Sequence, residues 1–190
     1  DLYDKTWVWI SKAWHPEQKN EKKGISHLPS EDESFDYFTS VIPTFFLIYS
    51  GEKYDPCAIL DFYYSKQEEN GAIRSHFDKT TYEHIAQNKN NPEDLSVPLF
   101  ASAEYAIYNK TGNKKRLKDV VPKIKKYYTW LMSVCGFKTH GLLKTPSSVS
   151  LLGNVDRKNA RFLVEFNCAV AIELLRLTEL GDILNEKPLM

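Results

Sequence analysis

Long apolar runs are missing from this 190-residue sequence: no stretch approaches the roughly 20 consecutive apolar residues that a membrane span needs. No basic-then-apolar leader opens the chain either, so the expectation is a protein that works in water and without a membrane. Charge of one sign is not in excess. Lys and Arg total 25, Asp and Glu total 25, and the formal net charge is zero, which argues against a surface built for nucleic acid or another polyanion. Cysteine is scarce: Cys57, Cys135 and Cys168 are odd in number and fit neither a zinc spacing nor a disulfide framework. They read as buried free thiols, which favours a cytoplasmic compartment while leaving the question open. The histidines, His15, His27, His76, His84 and His140, show no i, i+4 pairing and no carboxylate-bracketed spacing. Neither a metal nor any other cofactor is implied.

What the sequence does have is aromatic bulk, 11 Tyr, 10 Phe and 4 Trp. Flat apolar faces with polar tips suit stacking on sugar rings, and they equally suit extra core volume. A chain of this length with 42% hydrophobic residues reads as one domain spanning 1–190.

Apolar positions recur at three- and four-residue steps over roughly 3–14, 35–50, 56–68, 95–110, 114–134 and 159–184, and no segment shows sustained strand-like alternation. The fold class expected is all-α. FDYFTSVIPTFFLIY, LFASAEYAIY and FLVEFNCAVAIELLRL are apolar on most sides and read as covered helices. By contrast, KKRLKDVVPKIKKYYTWL confines Leu117, Val120, Val121, Ile124, Tyr127, Tyr128 and Leu131 to one stripe, and DPCAILDFYYSKQEE is similarly two-faced. Covered and surface helices therefore alternate, as they do in two concentric layers.

The connections alternate in step. Links from covered to surface helices are short: residues 50–55, with Asp55 as N-cap before Pro56, and 111–114, with Gly112 as a helix stop. Links from surface to covered helices, residues 15–34, 69–94 and 135–158, are long, and loops of that length are usually functional or disordered. If neighbouring helices run antiparallel, all three emerge at one rim, at the N-termini of the covered helices. All five histidines fall in these loops, where one could line a site, although solvated loop histidines are the plainer reading.

At this level the run VPLFASAEYAIYNKTGNKKRLKDVVPKIKKYYTWL, then GLLKTP, then FLVEFNCAVAIELLRLTELGDIL resembles the central helices of the trehalase-like glycoside hydrolases: trehalase, the mannosyl-oligosaccharide glucosidase type and mannosylglycerate hydrolase. SFDYFTSVIPTFFLIY and QEENGAI extend the similarity upstream, so that it covers most of 34–185. The resemblance implies an (α/α)6 toroid, of which about six helices in two layers would be half, and an inverting hydrolysis of O-glycosidic bonds, α-linked glucose or mannose being the expected substrates. In such a reaction one carboxylic acid protonates the leaving oxygen while a second carboxylate activates water across the ring. The resemblance places the acid in the loop before the last long helix and the base in the half of the barrel not contained here. The expected partners are a carbohydrate and either the remaining half-barrel or a second copy.

In that loop, SLLGNVDR, Ser150, Asn154 and Arg157 match a Ser-Gly-Met-Asp-Asn-Ser-Pro-Arg type motif, while the acid position falls on Gly153. Asp156, three residues on, is the candidate general acid, although Arg157 beside it would lower its pKa. Asn154, Asp156 or Asn159 would otherwise cap the following helix. Candidate sugar-binding residues are Asp36, Gln67, Asn70, Arg74, Asn154 and Arg157. The plainer reading of Asp36 is a carboxylate favoured by a helix dipole, and that of Asn70 with Gly71 is a turn. Ser96-Val97-Pro98 stands where the family has Gln-Pro-Pro. Glu165 either faces inward with a raised pKa or pairs with Arg161 at i, i+4 spacing, the arrangement preferred here. The alternative to an enzyme is a non-catalytic sugar-binding or scaffolding half-barrel. A helical-repeat module is disfavoured, since the six helices have no fixed period.

Overall fold

A computed structural model of the chain describes residues 1–17, 20–26, 34–85, 91–136, 141–145, 149 and 162–185, with the backbone alone for 16, 17 and 20–26. It is mainly helical: α1 Leu2–Ala13, α2 Tyr37–Val41, α3 Thr44–Leu47, α4 Ala58–Ser65, α5 Phe100–Thr111, α6 Lys114–Cys135 and α7 Val164–Leu184. Four short strands correct the expectation that strands are absent: β1 Trp14–Glu17 pairs with β2 Asn20–Ser26, and β3 Ser34–Asp36 pairs with β4 His76–Asp78, both antiparallel. β3 and β4 are Ser-Phe-Asp and His-Phe-Asp. Three residues are too few to register as alternation, and each strand exists only because the other lies beside it.

The helices begin and end for local reasons. Pro43 has no amide to donate and crowds the carbonyl four residues back, so the expected helix over 35–50 breaks into α2 and α3. Asp55 accepts from the Cys57 amide at 2.8 Å in a turn before α4, which therefore starts at Ala58 rather than at Pro56. Gly112 ends α5 in the left-handed conformation, its amide bonded to the Tyr108 carbonyl, and Asn113 caps α6 by accepting from the Arg116 amide at 3.1 Å. α6 tolerates Pro122 in its interior and buries one stripe: Leu117, Val120, Val121, Ile124, Tyr127, Tyr128, Trp130, Leu131 and Cys135.

That stripe packs on α5 and α7, and the main core forms between them and α4. Aromatic side chains fill much of its volume. Tyr37, Tyr63, Tyr64, Phe100 and Tyr127 make a chain of tilted and edge-on contacts with ring centroids 4.6–6.4 Å apart. A smaller cluster of Ile10, Trp14, Leu47 and Tyr54 holds α1 to the α3–α4 region. α7 departs from the sequence expectation of a helix covered on most sides: Val164, Cys168, Ile172 and Leu175 are exposed. Among the described residues no helix is long and apolar enough to cross a membrane.

Candidate functional site

The first two long connectors meet through β3 and β4. In their register Phe35 opposes Phe77, and both rings are buried 6.1 Å apart. Successive strand residues face opposite sides, so Asp36 and His76, also direct partners, share the other, partly exposed face with Ser34 and Asp78. The Tyr37 hydroxyl donates to nothing in this contact but accepts from the Leu99 amide at 2.8 Å, which links the start of α2 to the entry of α5.

Asp36 sits at the N-cap of α2. One oxygen accepts from the Thr39 amide at 3.1 Å and the other from the Thr39 hydroxyl. Its cross-strand neighbour His76 is tied to Asp94, whose Oδ1 lies 2.6 Å from His76 Nδ1. The other oxygen of Asp94 accepts from the amides of Ser75 and His76, both at 2.7 Å, and lies 3.2 Å from His84 Nε2. Asp94 is buried and has φ +48°, a left-handed conformation that is uncommon outside glycine. A tight turn holds it there: its amide donates to the Asn91 carbonyl at 2.9 Å, and Asn91 brackets both polar groups of the Leu95 backbone. Burial by itself lowers the His76 imidazole. The bond and charge of Asp94, with Asp36 behind them, reverse this and hold it above its ordinary value.

Arg74 closes the second connector on itself and braces it against α6. It makes a two-pronged bond to Glu68 at 2.7 and 3.1 Å, a third bond to Glu93 at 3.0 Å, and lies over the Trp130 ring near the C-terminal end of α6. These bonds keep the Glu68 carboxyl below its usual range. Gln67 donates to the carbonyls of Gly71 and Lys123, and Asn70 accepts from the Ala72 amide at 2.8 Å. Three expected sugar-binding residues, Gln67, Asn70 and Arg74, are thus engaged within the loop and against α6. The third connector departs from the same end, where Lys144 donates to the Cys135 carbonyl and Leu143 exchanges two hydrogen bonds with the Asn167 side chain. Asn154, Asp156 and Arg157, with Ser150, Gly153, Asn159 and Arg161, lie outside the described residues. Glu165 is half-buried in the first turn of α7.

Two buried carboxylates escaped the sequence reading. Glu104 receives two bonds from Arg116, at 2.7 and 2.8 Å, and one from the Tyr64 hydroxyl at 3.2 Å. Glu173, on α7, accepts from the amides of Ala101 and Ser102 and from the Tyr128 hydroxyl. Burial raises both carboxyls above their ordinary values against these bonds. Their partners are structural: Arg116 joins α5, α6 and Asp61 of α4, while Glu173 supplies the cap that Leu99 cannot give α5. Among the cysteines, burial pushes Cys57 and Cys135 up to about 12, whereas Cys168 is exposed, which corrects the expectation that all three are buried. No cluster suited to a metal forms among the described residues.

A groove of about 440 Å³ lies between α3, α5 and α7. Phe45, Ile48, Tyr49, Tyr105 and Ile172 line it, with Lys110 over the Tyr49 ring and Arg176 over the Tyr105 ring. Among the described residues that line it there is no Asp or Glu.

An uncharacterized protein of Borreliella burgdorferi is similar to this chain, 33% identical over 191 aligned residues that take in 100% of the chain and 40% of that protein. The chain spans less than half the length of this relative. No family model and no solved structure matches.

Proposed function

We propose that this chain is part of a trehalase-like (α/α)6 glycoside hydrolase that cleaves O-glycosidic bonds of α-linked glucose or mannose with inversion. The observation that carries the reading is the polar face of the β3–β4 pair. It sets Asp36 beside His76 at the N-terminus of α2, where long connectors gather around a partly exposed, carboxylate-rich rim. The apolar side chains left exposed on α3 and α7 support an incomplete helical toroid, as does a relative more than twice as long. Either the rest of such a barrel or a second copy of the chain would cover these side chains.

In this mechanism Asp156 protonates the leaving oxygen, and a carboxylate from the remaining half-barrel activates water on the opposite face of the sugar. The two carboxyl groups stand about 6.5–9.5 Å apart to admit that water. Asp36, Asn154 and Arg157 fix hydroxyls. Gln67, Asn70 and Arg74 contribute by holding the shape of their loop, since its own carbonyls and carboxylates already engage them. No cofactor enters this chemistry.

The second reading is a non-catalytic sugar-binding half-barrel, favoured by Gly153 at the acid position of the motif. Hydrolysis of a panel of α-glucosides and α-mannosides by the whole protein, with the half-barrel that supplies the base, as wild type, Asp156→Asn and Glu165→Gln separates the two. Loss of turnover in Asp156→Asn is the expected result. Turnover unaffected by either change refutes the assignment of the acid, and binding without turnover in the wild type selects the second reading.

A further inference from the structure

We propose that His76 is a further ligand-contacting residue of the rim, presenting Nε2 to a sugar hydroxyl beside Asp36, and that Asp94 is the positioning residue that holds the ring for it. The inference rests on the glycoside reading above. Asp36 and His76 are direct cross-strand partners, and side chains so placed on one face of an antiparallel pair have Cβ atoms about 4.5–5.5 Å apart. The intervening Phe35 and Phe77 anchor that face from below, so the pair cannot roll into the core.

The proton on His76 is fixed by its partner. An ionised carboxylate only accepts, so the neutral imidazole carries its proton on Nδ1, toward Asp94, and keeps a lone pair on Nε2. Asp94 cannot swing away, because two backbone amides and the two imidazoles engage its oxygens. Nε2 of His76 has no hydrogen-bond partner among the described residues, and the side chain is 29% exposed. A left-handed backbone outside glycine is strained, and such strain concentrates where a group must be held in place.

A hydroxyl is the matching chemistry. It donates to the lone pair of neutral imidazole and accepts from the charged form, while the adjacent Asp36 carboxylate takes a second hydroxyl proton. His84 is an internal control: it touches the same Asp94 but packs edge-on against Phe77 and is not a strand partner of Asp36.

The test combines imidazole-selective ¹⁵N NMR with calorimetric titration of the full chain, using maltose, trehalose and an α-linked mannobiose as probes. In the free protein His76 is expected to carry Nδ1–H, and a saturating probe is expected to shift its Nε2 resonance. His76→Phe is expected to weaken binding roughly three- to tenfold, the value of one hydrogen bond to an uncharged partner. Asp94→Asn should weaken it too and bring in the Nε2–H tautomer, a signature that simple loosening does not produce. His84→Gln, which loosens Asp94 but removes no ligand contact, should weaken binding less than His76→Phe does. An unmoved Nε2 resonance, unaltered affinity in His76→Phe, or equal losses in His76→Phe and His84→Gln overturns the role of His76 while leaving the glycoside reading standing. A wild type that binds none of the probes overturns that reading and this inference with it. Should His76→Phe fail to fold, the wild-type Nε2 shift decides alone.

Discussion

Removing the Glu173 carboxylate takes away three hydrogen bonds at once. The residue is 1% exposed and accepts from Ala101 N at 2.7 Å, Ser102 N at 2.9 Å and Tyr128 Oη at 2.7 Å. Both amides belong to the first turn of α5, whose N–H groups have no partner within the helix, and Leu99 at the cap position offers no side-chain oxygen. In Glu173→Ala each donor left buried costs about 1–3 kcal/mol. Against this the variant no longer desolvates a carboxylate, a penalty that is real here because burial raises its pKa. The net expectation is a loss of about 3 kcal/mol, large beside a typical domain stability of about 5–15 kcal/mol. Glu173→Gln keeps one acceptor and should fall between. Tyr128→Phe deletes one bond but also the donor, and should cost about 1 kcal/mol. The pair is coupled: once Glu173 is alanine, Tyr128→Phe removes an orphaned hydroxyl, so the double variant should be more stable than the sum of the singles. Urea unfolding supplies the free energies, and hydrogen exchange at Ala101 and Ser102 reports the turn directly. A Glu173→Ala protein within 1 kcal/mol of the wild type, or with protection at those two amides unchanged, refutes the capping argument.

Two further outcomes are expected. Gly71 has φ +101°, and a Cβ there would stand 2.5 Å from the Lys126 carbonyl oxygen, which belongs to the backbone of α6 and cannot give way. Gly71→Ala should cost about 2–3 kcal/mol, or roughly 5–10 °C in Tm, and an unchanged melting curve would show that the loop can leave α6 freely. The second concerns pH. The folded-state pKa of His76 is raised, so its stabilising contribution is fully present below the ordinary histidine value of about 6.5 and is lost as pH rises through the folded value. Urea unfolding across that window should show stability declining toward alkaline pH, with the slope reduced in His76→Phe. A slope that persists undiminished in the variant assigns it elsewhere.

The rim was partly legible in the sequence. Asp36 announced itself by following an aromatic residue at a helix start, and the second long loop by its lack of helical periodicity. Asp94 did not, because a left-handed aspartate at the end of an Asn-Pro-Glu-Asp turn looks like any loop acid until the turn is seen to aim it at His76, 18 residues away. Arg74 and Gln67 read from the sequence as sugar contacts, and only the packed loop shows that its own acceptors engage them.

By itself the sequence determined what neighbours within a few residues decide. The buried stripe of α6 follows from apolar side chains recurring every three or four positions, the α5–α6 turn from a glycine free to adopt positive φ, and the break after α2 from a proline without an amide. Tertiary structure alone decided the β3–β4 pairing, the capping of α5 by a carboxylate 72 residues distant, and the exposure of Ile172 and Leu175 on a helix apolar enough to be enclosed. Helical periodicity carries its own partners within one or two turns. A hydrogen bond or a covered face between distant segments depends on which surfaces the finished fold brings together, and no local pattern encodes that.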